Sequence, residues 1–127
     1  MRALVIDDSR AMRTILRGIL VSLEFEVVEA ADGRQAVDIL SVDHNFDLAL
    51  VDWNLPEMSG LEIVTEVRRD PQLASLPLLM VTTETESERV TQALHAGANE
   101  YIMKPFDRDM LLAKLVMLGI PIETAKA

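Results

Sequence analysis

The side chains able to do chemistry in this chain are few, and each stands where an aliphatic run ends. Asp7 and Asp8 follow ALVI (3–6), Asp52 follows LALV (48–51), Thr82 and Thr83 follow LPLLMV (76–81), and Lys104 with Pro105 follows YIM (101–103). Two carboxylates about 4 Å apart repel by roughly 4 kcal/mol at an effective dielectric near 20, so converging acids need positive charge beside them. Lys104 supplies one charge, and a hard divalent cation would supply the rest. Magnesium suits such a set, because it takes a few carboxylates, keeps several waters and leaves positions for phosphate oxygens. An aspartate held there can attack phosphorus and become an aspartyl phosphate. On this reading Asp52 is the acceptor and Asp7 and Asp8 hold the metal. Lys104 and the Thr82 hydroxyl then bind the oxygens of the transferred group, where positioning and charge neutralisation supply most of the catalysis.

Taken singly, each group has a plainer explanation. Asp7 and Asp8 could cap the helix that follows, and so could Thr82 and Thr83. Lys104 could be a solvated lysine, and Asp52 a turn residue ahead of Pro56. None of these explains why acids, hydroxyl and amine gather at the ends of four apolar runs.

The runs themselves are short, aliphatic and without alternation, as strands buried on both faces of a parallel sheet are. VV (27–28) is a weaker fifth. Between them the period turns helical: Ala11, Met12, Ile15, Leu16, Ile19, Leu20 and Leu23 form one stripe after a cap at Ser9, with Arg13 and Arg17 on the opposite face. Shorter stripes follow at Ala36–Leu40, Leu61–Val67 and Val90–Leu94 before Gly97, and a last one runs from the cap Asp107 to Leu118, with Pro121 expected to stop it. Five strand–helix repeats predict an α/β fold, a doubly wound five-stranded parallel sheet with right-handed crossovers and helices on both faces. Ligands of such folds bind beyond the C-terminal strand ends, where all the residues above lie.

Composition narrows the function. With 127 residues, half of them hydrophobic, one domain is expected. No apolar run reaches the roughly 20 residues of a membrane span, and MRALVIDDSR meets acids too early for a signal peptide. The absence of cysteine removes thiolate sites and disulfides and fits a reducing cytoplasm. A net charge of −9 with no basic stripe argues against nucleic acid.

The ordered set DD (7–8), DWNLP (52–56), VTTE (81–84) and YIMKPF (101–106) resembles the receiver domain of two-component response regulators, in particular the single-domain CheY-like chemotaxis type. The resemblance spans about residues 2 to 119, and makes 1–119 the receiver domain and 120–127 a C-terminal tail. It implies the strand order 2-1-3-4-5, for which CheY itself is a standard example, so that order is not read from spacing. It further implies that Asp52 is phosphorylated by a histidine kinase, that Asp7, Asp8, Asp52 and the Asn54 backbone carbonyl hold magnesium, and that Lys104 contacts the phosphoryl group. Thr82 matches the switch hydroxyl and Tyr101 the aromatic that then turns inward, while Asn54 and Glu84 match positions that tune phosphoryl loss. Pro105 is expected to follow a cis peptide. The output surface would be helix 4, strand 5 and helix 5, roughly 87–118, presented to a protein partner such as a flagellar motor switch component. A monomer, not an enzyme in the ordinary sense, is implied.

Some positions depart from the pattern. Thr83 is bulkier than the alanine or glycine often found there, and TETESER (83–89) carries acids where enteric chemotaxis proteins carry lysines. Trp53 either covers the site or is a partly exposed loop residue. The seven methionines are expected to fill the core rather than form a binding surface, and His44 and His95 to be surface residues. Other functions fit the sequence less well. A flavin or nucleotide binder would want a glycine- or hydroxyl-rich turn where DDSRAM stands. A magnesium-dependent phosphohydrolase would need a second acid for proton transfer and a cap over its substrate. A phosphate sink, a phosphorelay intermediate and a receiver-like module that is never phosphorylated would share the fold.

Overall fold

A computed structural model describes residues 1–83 and 87–122. Five parallel strands, β1 (Arg2–Ile6), β2 (Glu26–Ala30), β3 (Leu48–Asp52), β4 (Leu78–Thr82) and β5 (Glu100–Met103), pair in the order β2-β1-β3-β4-β5. They alternate with α1 (Arg10–Ser22), α2 (Gly33–Val42), α3 (Gly60–Arg69), α4 (Ser87–Ala96) and α5 (Arg108–Met117), and a 3-10 turn at Pro71–Leu73 precedes β4.

Strand alternation divides the core in two. Ala3, Val5, Leu48, Leu50, Leu79, Val81 and Ile102 pack with Leu16 and Leu20 of α1 and Leu111 and Leu115 of α5. Leu4, Ile6, Ala49, Val51, Leu78 and Met80 pack with Ala36 and Leu40 of α2, Ile63, Val64 and Val67 of α3 and Ala93 of α4. Every residue of β3 and β4 is buried, which is why these strands read as continuous apolar runs.

Helix starts follow local chemistry. Ser9, Asp32, Ser59 and Asp107 each accept a hydrogen bond from a backbone N–H of the first turn, of Met12, Gln35, Glu62 and Met110 respectively. Neither Asp7 nor Asp8 is the cap of α1, so both are released from the plainer explanation.

Several expectations are corrected. Helix α5 ends at Met117, short of Pro121, and Gly119 just beyond its cap, with φ of +79°, turns the chain back so that Ile120, 7% exposed, joins the core. The tail expected from residue 120 therefore begins with a packed residue. Of the methionines, Met80 is fully buried but Met1, Met103, Met110 and Met117 are exposed, because the last three lie at strand and helix positions that face away from the packed layers. Trp53 is 4% exposed and belongs to the cluster under α2 and α3, so it is a core residue and not part of an open loop. Arg13 and Arg17, on the face opposite the apolar stripe, both pair with Glu29 of β2, at 3.1 and 2.6 Å. His44 is partly buried beside Asp70, with Nε2 and Oδ2 3.1 Å apart.

Candidate phosphoacceptor and metal site

The C-terminal ends of the strands bring the sequence candidates together. Asp52 closes β3, and Asp7 follows β1 with its amide donating to Ala30 O at 3.1 Å, one step beyond the last strand pair. Both continue the alternation that faces α1 and α5. Asp7 and Asp52 are buried, at 2% and 6% exposure, while Asp8 stands exposed at the mouth. Oxygens of the three carboxylates lie within 4.8 Å of one another, a group able to hold a metal ion. Lys104 Nζ sits 3.6 Å from both Asp7 Oδ2 and Asp52 Oδ1.

Those distances are ion pairs but too long for good hydrogen bonds. Asp7 Oδ1 accepts from the Ser9 amide at 2.8 Å, whereas Asp7 Oδ2 is buried with no hydrogen-bond partner. A buried carboxylate oxygen in that condition is costly unless a cation completes it. The donor set fits magnesium: hard carboxylate oxygens, one of them orphaned, with Asp8 exposed to solvent.

The same crowding acts on Asp52. Burial, then the negative charge of Asp7, pushes its carboxyl up to about 6 from 3.8, against the opposing pull of Lys104 and a hydrogen bond from the Asn54 backbone. Asp52 is thus ionised at neutral pH, yet poorly solvated.

Thr82 is the last residue of β4, fully buried, with its hydroxyl 3.3 Å from the Thr83 carbonyl. The Lys104 amide donates to Thr82 O at 2.7 Å, which ties the lysine to the threonine through the backbone. The Lys104–Pro105 peptide is cis, as expected. Tyr101 is half-buried on β5 against the α2–α3–α4 side of the core. Asn54 is exposed at the mouth, and Glu84 lies outside the described residues.

Two supporting residues escaped the sequence reading. A Cβ at Gly60 would lie 3.0 Å from Asp52 O and 2.8 Å from Met80 Cε, and the Gly60 amide donates to Trp53 O at 3.1 Å, so only glycine lets α3 start against the exit of β3. Arg13 donates from Nη1 to Asp7 O at 2.7 Å while its Nε holds Glu29, which braces the β1–α1 turn from behind. The glycine that closes WNLPEMSG was a visible signal; Arg13 carried none, because one of its partners is a backbone carbonyl and the other, Glu29, lies on another strand.

With this geometry in place, comparison with known proteins is decisive. The family model of the response regulator receiver domain matches residues 3–116. The chain belongs to the response regulator receiver family. A chemotaxis protein CheY homolog of Campylobacter jejuni is 43% identical over 116 residues, covering 91% of this chain and 89% of the relative. The CheY4 chemotaxis response regulator of Vibrio cholerae superposes with a TM-score of 0.86 at 36% identity, over 92% of this chain and 97% of that one. The receiver domain of a sensor histidine kinase from Pseudomonas aeruginosa, solved with magnesium coordinated in its active-site cleft, gives a TM-score of 0.83 at 28% identity, over 93% and 97% of the two chains. This is a receiver domain of the CheY-type chemotaxis response regulators, a class of signalling proteins. Among the described residues no helix is long and apolar enough to cross a membrane.

Proposed function

We propose that this receiver takes a phosphoryl group from the phosphohistidine of a histidine kinase onto Asp52. The observation that carries the reading is the convergence of Asp7, Asp8 and Asp52 around an orphaned carboxylate oxygen, with Lys104 3.6 Å from two of the three acids. A carboxylate oxygen of Asp52 attacks phosphorus; the P–N bond breaks and its electron pair returns to the imidazole nitrogen. Lys104 stabilises the phosphoryl oxygens as they approach, from a site already preorganised between two carboxylates. Magnesium, held by Asp7, Asp8, Asp52 and the Asn54 carbonyl, supplies further neutralisation of the transferred charge when bound. The magnesium in the Pseudomonas relative supports that choice of ion.

The Thr82 hydroxyl would then bind a phosphoryl oxygen and Tyr101 would turn inward, shifting a pre-existing equilibrium in the surface formed by α4, β5 and α5. The relatives are named as chemotaxis proteins, so the partner on that surface is read as a flagellar switch component.

The test is intact-mass analysis after incubation with acetyl phosphate. Wild type is expected to gain one phosphoryl group only when magnesium is present, and Asp52→Asn none. Uptake by Asp52→Asn, or uptake that ignores chelation of magnesium, would overturn the assignment.

A further inference from the structure

Tyr101 does not stand free on the edge strand of the sheet. Lys114, from α5, places its ammonium 4.7 Å from the centroid of the Tyr101 ring. That ammonium donates to Glu100 Oε1 at 3.2 Å. The same oxygen accepts from the Tyr101 backbone N–H at 3.0 Å. One carboxylate oxygen therefore fixes both the backbone that carries the ring and the cation that faces it. Lys114 and Glu100 are only 25% and 20% exposed, so water screens the arrangement incompletely, and a cation so placed attracts the face of the ring.

We propose that Lys114, anchored by Glu100, is a positioning residue for Tyr101 that favours the resting position of the ring and so sets how readily the receiver switches. The proposal rests on Tyr101 being the switch aromatic. The physical requirement for biasing a two-state equilibrium is a contact made in one state and not in the other. Lys114 meets it, because it faces the ring where the ring now lies, while the tether to Glu100 keeps the ammonium from following a ring that turns toward Thr82. Tyr101 is opposite Met80 and Thr82 opposite Met103 in the β4–β5 register, so ring and hydroxyl are diagonal neighbours on one side of the sheet.

By linkage, a contact that favours the resting state weakens any ligand preferring the activated state by the same factor. The probe is beryllofluoride with magnesium, a mimic of the bound phosphoryl group, titrated into the full chain. Its binding is read from Trp53, the one tryptophan, which follows Asp52. Lys114→Met keeps the apolar stem and loses the charge; it is expected to bind beryllofluoride roughly two- to fivefold more tightly than wild type. Lys114→Arg, which restores a cation, should return to the wild-type affinity, and Glu100→Gln should fall between. Because the cation faces the ring and not its hydroxyl, the effect of Lys114→Met should persist in Tyr101→Phe and vanish in Tyr101→Leu. A purely structural role would move the urea midpoint but not this cycle. Equal affinities of wild type and Lys114→Met, or an effect that survives in Tyr101→Leu, overturn the proposal. The switch reading is tested separately, since Tyr101 is the one tyrosine and ring-labelled tyrosine reports on it without assignment. If its resonances ignore beryllofluoride in wild type, both readings fall; if they shift while Lys114→Met leaves affinity unchanged, only the role of Lys114 falls.

Discussion

As the proposed phosphoacceptor, Asp52 would need to be buried to be selective and ionised to be reactive, and these demands conflict. Its carboxyl, pushed up to about 6 chiefly by burial and then by Asp7, holds a proton between about pH 4 and 6 that the unfolded chain has already released. The folded state binds more protons in that window, so its contribution to stability is full below about pH 4 and is lost as pH rises through 6. In chelator at pH 7, Asp52→Asn is therefore expected to be more stable than wild type by about 1–2 kcal/mol, after allowance for solvent screening at the mouth. The gap should close toward pH 4, and saturating magnesium should reverse it. Urea denaturation across that range checks this; a wild type as stable as the variant in chelator at pH 7 would contradict the geometry. Lys104 stands in the same pocket with a different task. Lys104→Ala should retain slow phosphoryl uptake from acetyl phosphate by mass, yet leave the Tyr101 ring resonances unmoved, and a normal ring response would refute the coupling. The acids, Thr82 and Lys104 were legible because strand ends are marked by the close of aliphatic runs. The fate of Trp53 was not, since nothing local says on which side of a strand exit a side chain falls.

At the scale of elements, the helices show where short-range chemistry suffices and where it is violated. Helix α5 closes with the Gly119 amide donating to Val116 O at 3.0 Å and the Ile120 amide to Leu115 O at 3.2 Å, with glycine in the left-handed position. Helix α1 closes in the same way: the Glu24 amide donates to Val21 O and the Phe25 amide to Leu20 O, both at 2.9 Å, and Phe25 and Leu20 share a core cluster. Here, however, the residue at φ +70° is Glu24. Meanwhile Gly18 occupies the interior of α1, with nothing within 4 Å of an added Cβ. The helix thus has glycine where alanine is better and glutamate where glycine is better. Gly18→Ala and Glu24→Gly are each expected to stabilise the fold by about 0.5–1 kcal/mol. One site lies inside the helix and the other beyond its C-cap Leu23, so their effects should nearly add in urea titrations. A destabilised Glu24→Gly would mean that the left-handed turn is not strained. The helical stripes were legible from period, but the outward faces were not. Exposed Met103, Met110 and Met117 have the same composition as a core methionine, and only the packing of neighbouring elements decides which way they point.

Across the whole molecule, the two edges of the sheet are built for different purposes. The edge at the C-terminal strand ends gathers unsatisfied charge around Asp7 and Asp52. The opposite edge is tied by Arg68 of α3, which donates to Gly97 O at 2.9 Å, Leu73 O at 2.7 Å, Leu76 O at 2.7 Å and Asn99 Oδ1 at 2.9 Å. Asn99 Oδ1 also accepts from the Leu78 amide at 2.8 Å, so one guanidinium joins the end of α3, the 3-10 turn, the end of α4 and the starts of β4 and β5. Burial pulls the Arg68 guanidinium below its usual range, but a guanidinium stays charged at neutral pH, and its charge is spent on carbonyl oxygens. Gly97, at φ +127°, would place a Cβ 2.6 Å from Arg68 Cγ, so the clasp also depends on glycine at the end of α4. If α4 and β5 carry the switch as proposed, this clasp would hold one end of them while the other responds. Arg68→Met keeps the apolar stem, leaves these acceptors without their donor, and should lower stability by about 2–4 kcal/mol. Hydrogen exchange should loosen first around Gly97–Asn99 and at the start of β4. Since Arg68 lies at the edge opposite Asp52, phosphoryl uptake per folded molecule should match wild type. A fall in uptake with no loss of stability would show that the clasp is part of the switch rather than its fixed end.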